Sequence, residues 1–227
     1  MTRVLLTGAS RGIGRATAGA LARREVDLVL LGRASEALES TAALVAGLGA
    51  KADRVDADLR DPASIDAACR VVLEQFGAPA AIINNAGVIH RQIVERTALG
   101  DWEDQLGVNL RAPFLIVRAL LPAMRAAKVG RIVNVGSIAG TLGTPRAAAY
   151  CASKWGLIGF TKALAEELSG SGLMTVVVLP GSVDTEMLEG SGFEPRMTPE
   201  DVAASLVHYA LDASLAHNGA TIEMFGT

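Results

Sequence analysis

Tyr150 and Lys154 lie four positions apart in the segment Tyr150-Cys151-Ala152-Ser153-Lys154, and Ser137 lies thirteen positions upstream of the tyrosine. On a helix, residues four apart share one face, so this phenol and this ammonium can enter one site. A free tyrosine titrates near ~10 and exchanges protons poorly at neutral pH. A neighbouring ammonium favours the phenolate and moves the group toward the range where general acid–base catalysis works. The same spacing also suits an exposed amphipathic helix, so it acquires meaning only beside other motifs. Asn109 raises the same question: an amide is a middling helix former, and alone it reads as a solvated or core-satisfied side chain.

Two glycine-bearing segments supply that company. Thr7-Gly8-Ala9-Ser10-Arg11-Gly12-Ile13-Gly14 follows directly on an apolar run. Glycines so spaced permit a tight turn, a close approach of backbone to phosphate, and close packing of the next helix on the strand. The helix start then offers N–H groups and the positive end of its dipole to a pyrophosphate. An ordinary glycine-rich turn has the same composition, and it is the position after the first strand that favours the phosphate. Asn84-Asn85-Ala86-Gly87 closes another apolar run. Its amides can hold a neighbouring loop through backbone groups, and Ala and Gly leave room for an adenosine ribose; out of context it is a turn.

The second apolar run ends Leu30-Leu31-Gly32-Arg33. Glycine stands where an acid would accept hydrogen bonds from a free ribose 2′-hydroxyl, and the arginine after it can grip a 2′-phosphate with two parallel bonds. Arg11 can approach that phosphate from the other side with no acid competing, so NADP(H) is expected over NAD(H). The plainer alternative makes Arg33 a solvated residue starting a loop.

The elements that must position these groups show in the hydrophobic period. Strands are expected at Arg3–Thr7, Val26–Leu31, Arg54–Ala57, Ala80–Asn84, Arg131–Gly136, Met174–Leu179 and Ala220–Phe225. Helices are expected at Ile13–Arg24, Ser35–Leu48 with Ser35 as N-cap, Pro62 to about Phe76, Asp101–Lys128, Ala148–Leu168 and Pro199–Leu211. Strands alternating with helices argue for βαβ units and a parallel sheet covered on both faces. The Gly-, Ser- and Pro-bearing stretch Gly181–Thr198 follows the sixth strand, where α/β sheets place ligands, and reads as a substrate lid. No linker or repeat divides the chain, so residues 1–227 are expected to form one domain.

Composition narrows the function. Half of the 227 residues are apolar and the net charge is −3, which excludes a disordered chain and gives no support to binding nucleic acid or anionic lipid through a basic field. Cys69 and Cys151 are too few for a disulfide framework, and no His, Cys and acid cluster suggests a metal. The longest charge-free run, Gln75 to His90, is interrupted by Pro79, Asn84 and Asn85, so no membrane span is expected. Strand-like sequence begins within three residues of Met1, leaving no room for a signal peptide, and a cytoplasmic location is expected.

Taken together and in order, TGASRGIG, VDADL ending in Asp58-Leu59, NNAG, Asn109, Ser137, YxxxK and PGxVxT from Pro180 to Thr185 resemble the short-chain dehydrogenase/reductase family over nearly the whole chain. The nearest flavour is that of 3-oxoacyl-carrier-protein reductases and related carbonyl reductases. The resemblance implies a Rossmann fold with a seven-stranded parallel sheet, order 3-2-1-4-5-6-7, and helices on both faces. It implies NADP(H)-dependent reduction of a ketone or 3-oxoacyl group, with sugar or cyclic-alcohol dehydrogenation as the alternative within the family. Tyr150 would be the acid in reduction and the base in oxidation, Lys154 would bond the nicotinamide ribose and lower the tyrosine pKa, and Ser137 would polarise the carbonyl. Asn109 would anchor a water in a proton relay through Lys154. Gly8, Ser10, Arg11, Gly12, Ile13 and Gly14 would line the phosphates, Asp58 and Leu59 the adenine, and Asn85, Ala86 and Gly87 its ribose. Pro180, Gly181, Val183 and Thr185 would meet the nicotinamide, and the long helices would pair across two-fold axes into a homotetramer, a dimer being second. A protein that senses the dinucleotide without catalysis would have dropped Ser137, Tyr150 or Lys154, and all are present. The tail GATIEMFGT is shorter than in fatty-acid-type members; His90 and Arg91, just after NNAGV, could face substrate, with an exposed loop position the favoured alternative, while His208 and His217 read as surface positions and Cys151 as a buried small apolar residue.

Overall fold

The computed structural model describes residues 3–128 and 130–227. Strands β1 (Arg3–Thr7), β2 (Asp27–Gly32), β3 (Ala52–Asp56), β4 (Ala81–Asn84), β5 (Gly130–Val135), β6 (Leu173–Pro180) and β7 (Thr221–Met224) form one sheet. Its order is β3-β2-β1-β4-β5-β6-β7, and every pairing is parallel. β1 lies between β2 and β4, with Leu5 in register with both Val29 and Ile82.

Side chains alternate between the faces, as a pleated strand requires. Val4, Leu6, Leu28, Leu30, Ile83 and Val133 point into one core, and Leu5, Val29, Leu31, Ile82 and Ile132 into the other. Both faces being apolar, these strands read as continuous hydrophobic runs. Helices α1 (Gly12–Ala22), α2 (Glu36–Gly47) and α7 (Pro199–Leu211) cover the first core; α3 (Pro62–Phe76), α5 (Ala112–Ala127) and α6 (Ala148–Leu168) cover the second. Helix starts follow their capping residues: Ser35 Oγ accepts from Leu38 N–H at 3.2 Å, Asp61 accepts from Ala63 N–H at 2.9 Å, and Thr198 and Asp201 form a capping box.

Helices α3, α6 and α7 match the expected spans, while the helix expected at Asp101–Lys128 differs in kind. It begins at Leu99 as α4 (Leu99–Leu106), which packs on α6, and passes through a π turn at Gly107–Arg111 before continuing as α5. Pro113 explains the wider turn, because it has no N–H to give the Asn109 carbonyl four residues back. The composite Leu99–Ala127 is long and apolar enough to cross a membrane, yet half of its most apolar stretch is buried, with Leu115, Ile116, Leu120 and Met124 in the second core.

Candidate active site

The glycine segment joins β1 to α1 and is built against the end of β4. Thr7 Oγ1 accepts from the N–H groups of Asn85 and Ala86, both at 3.0 Å, while Asn85 Nδ2 donates to the carbonyls of Thr7 and Gly8, also at 3.0 Å. Gly8 has φ +67°, and a Cβ there would lie 2.7 Å from Ala86 Cα. A Cβ on Gly14 would lie 2.0 Å from the Gly8 carbonyl oxygen. Only glycine allows this approach, and it draws the start of α1 close over β1. No side chain caps α1. Its first N–H groups are therefore offered to the cleft, which is the donor set that a dinucleotide pyrophosphate requires.

That cleft, about 1180 Å³, runs along the C-terminal ends of the strands. Gly8, Ser10, Arg11, Gly12, Ile13 and Gly14 line it at one side, and Asn85, Ala86 and Gly87 line its floor. Gly32, Arg33, Asp58 and Leu59 line the end beyond β2 and β3, while Pro180, Gly181, Val183 and Thr185 line the wall beyond β6. Arg33 is exposed there. Arg11 departs from the expectation that no acid competes for it, since its guanidinium pairs with Glu186 from the stretch after β6.

Tyr150 and Lys154 meet on one face of α6, with Lys154 Nζ 5.6 Å from the centre of the Tyr150 ring. Both line the cleft, as does Ser137 just beyond β5. Lys154 is 3 % exposed and donates to the Val135 carbonyl at 2.7 Å. Burial brings its ammonium down to about 8. Burial also pushes the Tyr150 phenol up, against the hydrogen bond from Ser137 and the positive charge of Arg91. The lowering expected from Lys154 is not found: desolvation of the phenolate dominates, and Ser137 and Arg91 are the groups that favour it.

Asn109 lies behind the cleft. It is fully buried in the π turn; its Oδ1 accepts from Val88 N–H at 2.8 Å, and its Nδ2 donates to the Val88 carbonyl at 2.9 Å and to Ser153 Oγ at 3.0 Å. Its side chain therefore holds the chain beyond β4 against α6. Asn84 likewise bonds a side chain, donating to Asn134 Oδ1 at 2.8 Å, and Asn134 donates to Thr161 at 2.9 Å, a buried polar tie under the site. Sequence reasoning passed over Ser153, Asn134 and Thr161; a polar residue inside an apolar run was their only signal.

Arg91, expected at the surface, lines the cleft, and its guanidinium donates to the Met187 carbonyl at 3.1 Å. His90 turns away, its Nε2 2.7 Å from Asp104, which also accepts from Arg60 Nε at 2.6 Å. Burial would raise the Asp104 carboxyl, but the bonds from His90 and Arg60 and the Arg60 charge hold it below the usual range. Cys151 is half-buried against the Tyr150 cluster, not fully buried, and Cys69 is buried with its thiol pushed up to about 12. His208 and His217 are exposed on either side of Tyr209. Among the described residues, no three His, Cys, Asp or Glu side chains come together as a metal site would need.

A family model described as short chain dehydrogenase matches residues 2–194. The chain belongs to that family. This short-chain dehydrogenase is 35% identical over 233 residues to a 3-oxoacyl-[acyl-carrier-protein] reductase of Synechocystis sp., covering 98% of this chain and 94% of the relative. It is 34% identical over 235 residues to a D-threitol dehydrogenase of Mycolicibacterium smegmatis, covering 98% and 90%. In fold, the short-chain dehydrogenase is similar to the crystal structure of levodione reductase, with a TM-score of 0.92, 28% identity, and coverage of 99% and 96%.

Proposed function

We propose that this short-chain dehydrogenase is an NADP(H)-dependent carbonyl reductase, acting on a ketone or 3-oxoacyl group and reversible with the alcohol. The observation that carries the reading is the meeting of Tyr150, Lys154 and Ser137 in the same cleft as the uncapped start of α1. A bound nicotinamide dinucleotide supplies the hydride. Tyr150, kept protonated by burial, donates its phenolic proton to the carbonyl oxygen as the alcohol forms. Ser137 donates to the same oxygen, and Lys154 holds the ribose hydroxyls and restores the proton. Asn109 positions the Val88 backbone and with it the floor at Gly87. The stretch 181–198 acts as the lid over one catalytic domain, working as a homotetramer in the cytoplasm.

NADP(H) is favoured over NAD(H) by Arg33 at the open end of β2 beside Gly32, with Arg11 joining when it leaves Glu186. Losing one charged contact to a partly exposed phosphate costs about 1.5–3 kcal/mol, roughly 10- to 150-fold in affinity. The relatives include both a 3-oxoacyl reductase and a D-threitol dehydrogenase, so polyol or cyclic-alcohol oxidation is the second reading. The test is NADPH and NADH oxidation, and NADP reduction, across acetoacetyl thioesters, aromatic and cyclic ketones and polyols. NADPH is expected to be favoured at least about tenfold, a preference erased in Gly32→Asp/Arg33→Ala. Tyr150→Phe should bind cofactor normally and lose at least about 100-fold in turnover. A Tyr150→Phe enzyme that kept a tenth of wild-type turnover would remove the tyrosine from its role.

A further inference from the structure

Beyond β4, Gly87, Val88, Ile89 and Arg91 line the cleft, whereas the His90 ring is bonded away from it. His90 N–H donates to Gln105 Oε1 at 3.1 Å and its ring bonds Asp104 at 2.7 Å. Gln92 N–H donates to the Arg146 carbonyl at 2.8 Å, and Gln92 pairs with Ala147 in a one-residue parallel bridge. Arg91 is therefore clamped on both sides, and one of its clamps sits three residues before Tyr150. Ile89 packs against Tyr150, Ala139 and Ala147, so the wall that carries Arg91 is the wall of the reaction site.

Among the described residues the guanidinium makes one hydrogen bond, to the neutral Met187 carbonyl at 3.1 Å, out of the five its N–H groups can form. Of the carboxylates that line the cleft, Asp58, Asp184, Glu186 and Glu200, none pairs with Arg91 among the described residues, and Glu186 is engaged by Arg11. Leu142, Met187 and Phe193 supply apolar lining to the same cleft. Its charge reaches the catalytic phenol, favouring the phenolate. A planar cation with unused donors, its backbone clamped on the wall that also carries the proton donor, matches a carboxylate bidentately.

We infer that Arg91 binds the substrate's carboxylate, which narrows the proposed function to its ketone arm: the carbonyl compound taken by this cleft is a small oxo acid. The inference rests on Tyr150 being the proton donor of the proposed function. The carboxylate stays ionised throughout; hydride adds to the ketone carbon, the Tyr150 proton goes to its oxygen, and a hydroxy acid leaves.

The experiment compares acetoacetate and 4-oxopentanoate with their methyl esters, using NADPH and the wild type, Arg91→Met and Arg91→Lys. In the wild type each acid should exceed its ester at least about tenfold in kcat/KM. Arg91→Met should lower the acid-to-ester ratio of kcat/KM roughly 10- to 150-fold, through KM for the acids, with NADPH affinity changed by less than about threefold; Arg91→Lys should recover part of the ratio. A wild type that reduces the esters as well as the acids overturns the inference. So does an Arg91→Met that loses equally on acid and ester, since Arg91 would then serve the lid or the cofactor. If no carbonyl in the set is reduced, the reductase reading is what fails, and calorimetry decides Arg91 separately. Saturable binding of 3-hydroxybutyrate to the wild type with NADP, abolished in Arg91→Met, would uphold the anion site, and its absence from the wild type would overturn it.

Discussion

Burial sets the charge states of the two groups that handle the proton, and it sets them in opposite directions. Lys154 is lowered to about 8, while Tyr150 is raised. Through the neutral range Tyr150 thus keeps the proton it must donate, and Lys154 keeps the ammonium that bonds the ribose. Above about 8 the free enzyme loses that ammonium, so kcat/KM for carbonyl reduction should be level below this pH and fall about tenfold per pH unit beyond it. Once cofactor phosphates add negative charge nearby, the ammonium is favoured, and the same limb in kcat should move to higher pH. A reductive kcat/KM that stays level to pH ~10, where a free tyrosine itself begins to titrate, would take the Lys154 ammonium out of the reaction.

At the scale of elements, the site depends on how closely α1 lies on β1 and β4. A Cβ on Gly14 would meet the Gly8 carbonyl at 2.0 Å and Asn85 Nδ2 at 2.6 Å, so Gly14→Ala must lift α1 or break the Asn85 tie. Overpacking of this kind costs about 1–3 kcal/mol, and here it also spoils the phosphate cradle. The melting temperature should fall and the NADPH Kd rise at least about tenfold, since about 1.4 kcal/mol is one decade. Gly47→Ala is the control, because nothing lies within 4 Å of its added Cβ, and it should leave both unchanged. An unchanged Kd in Gly14→Ala would mean that the cradle does not hold the cofactor. This packing is local, which is why it was legible in the sequence: glycine spacing, strand ends and the four-residue interval of Tyr150 and Lys154 are all short-range patterns. What stayed hidden was decided by distant parts of the chain. Arg91 is held at the cleft where Gln92 pairs with Ala147, and Arg11 meets Glu186 across the cleft. No local period carries that information.

At the scale of the molecule, the aromatic residues are few and oddly placed. The chain has only two tryptophans, and neither is buried: Trp102 is 38% exposed on α4 and Trp155 is 54% exposed on α6, which packs against α4. Phe114 of α5, 44% exposed, stacks edge-on with Phe160 of α6. A second apolar group, Leu215 and Phe225, flanks the edge strand β7, whose far side no further strand covers. Two separate patches of this kind, each buried by self-association, generate two different two-fold axes. Two perpendicular two-folds make a dihedral tetramer, and losing one leaves a dimer. Light scattering at micromolar concentration should therefore give four copies of the 23.5 kDa chain. Trp155→Glu puts a charge on α6 in place of an exposed aromatic ring and should yield a dimer held by the β7 edge. Phe225→Glu should yield the other dimer, and the two together a monomer that keeps its fold by circular dichroism. A wild type that is monomeric, or a tetramer indifferent to Trp155→Glu, would show that these exposed aromatics have another purpose.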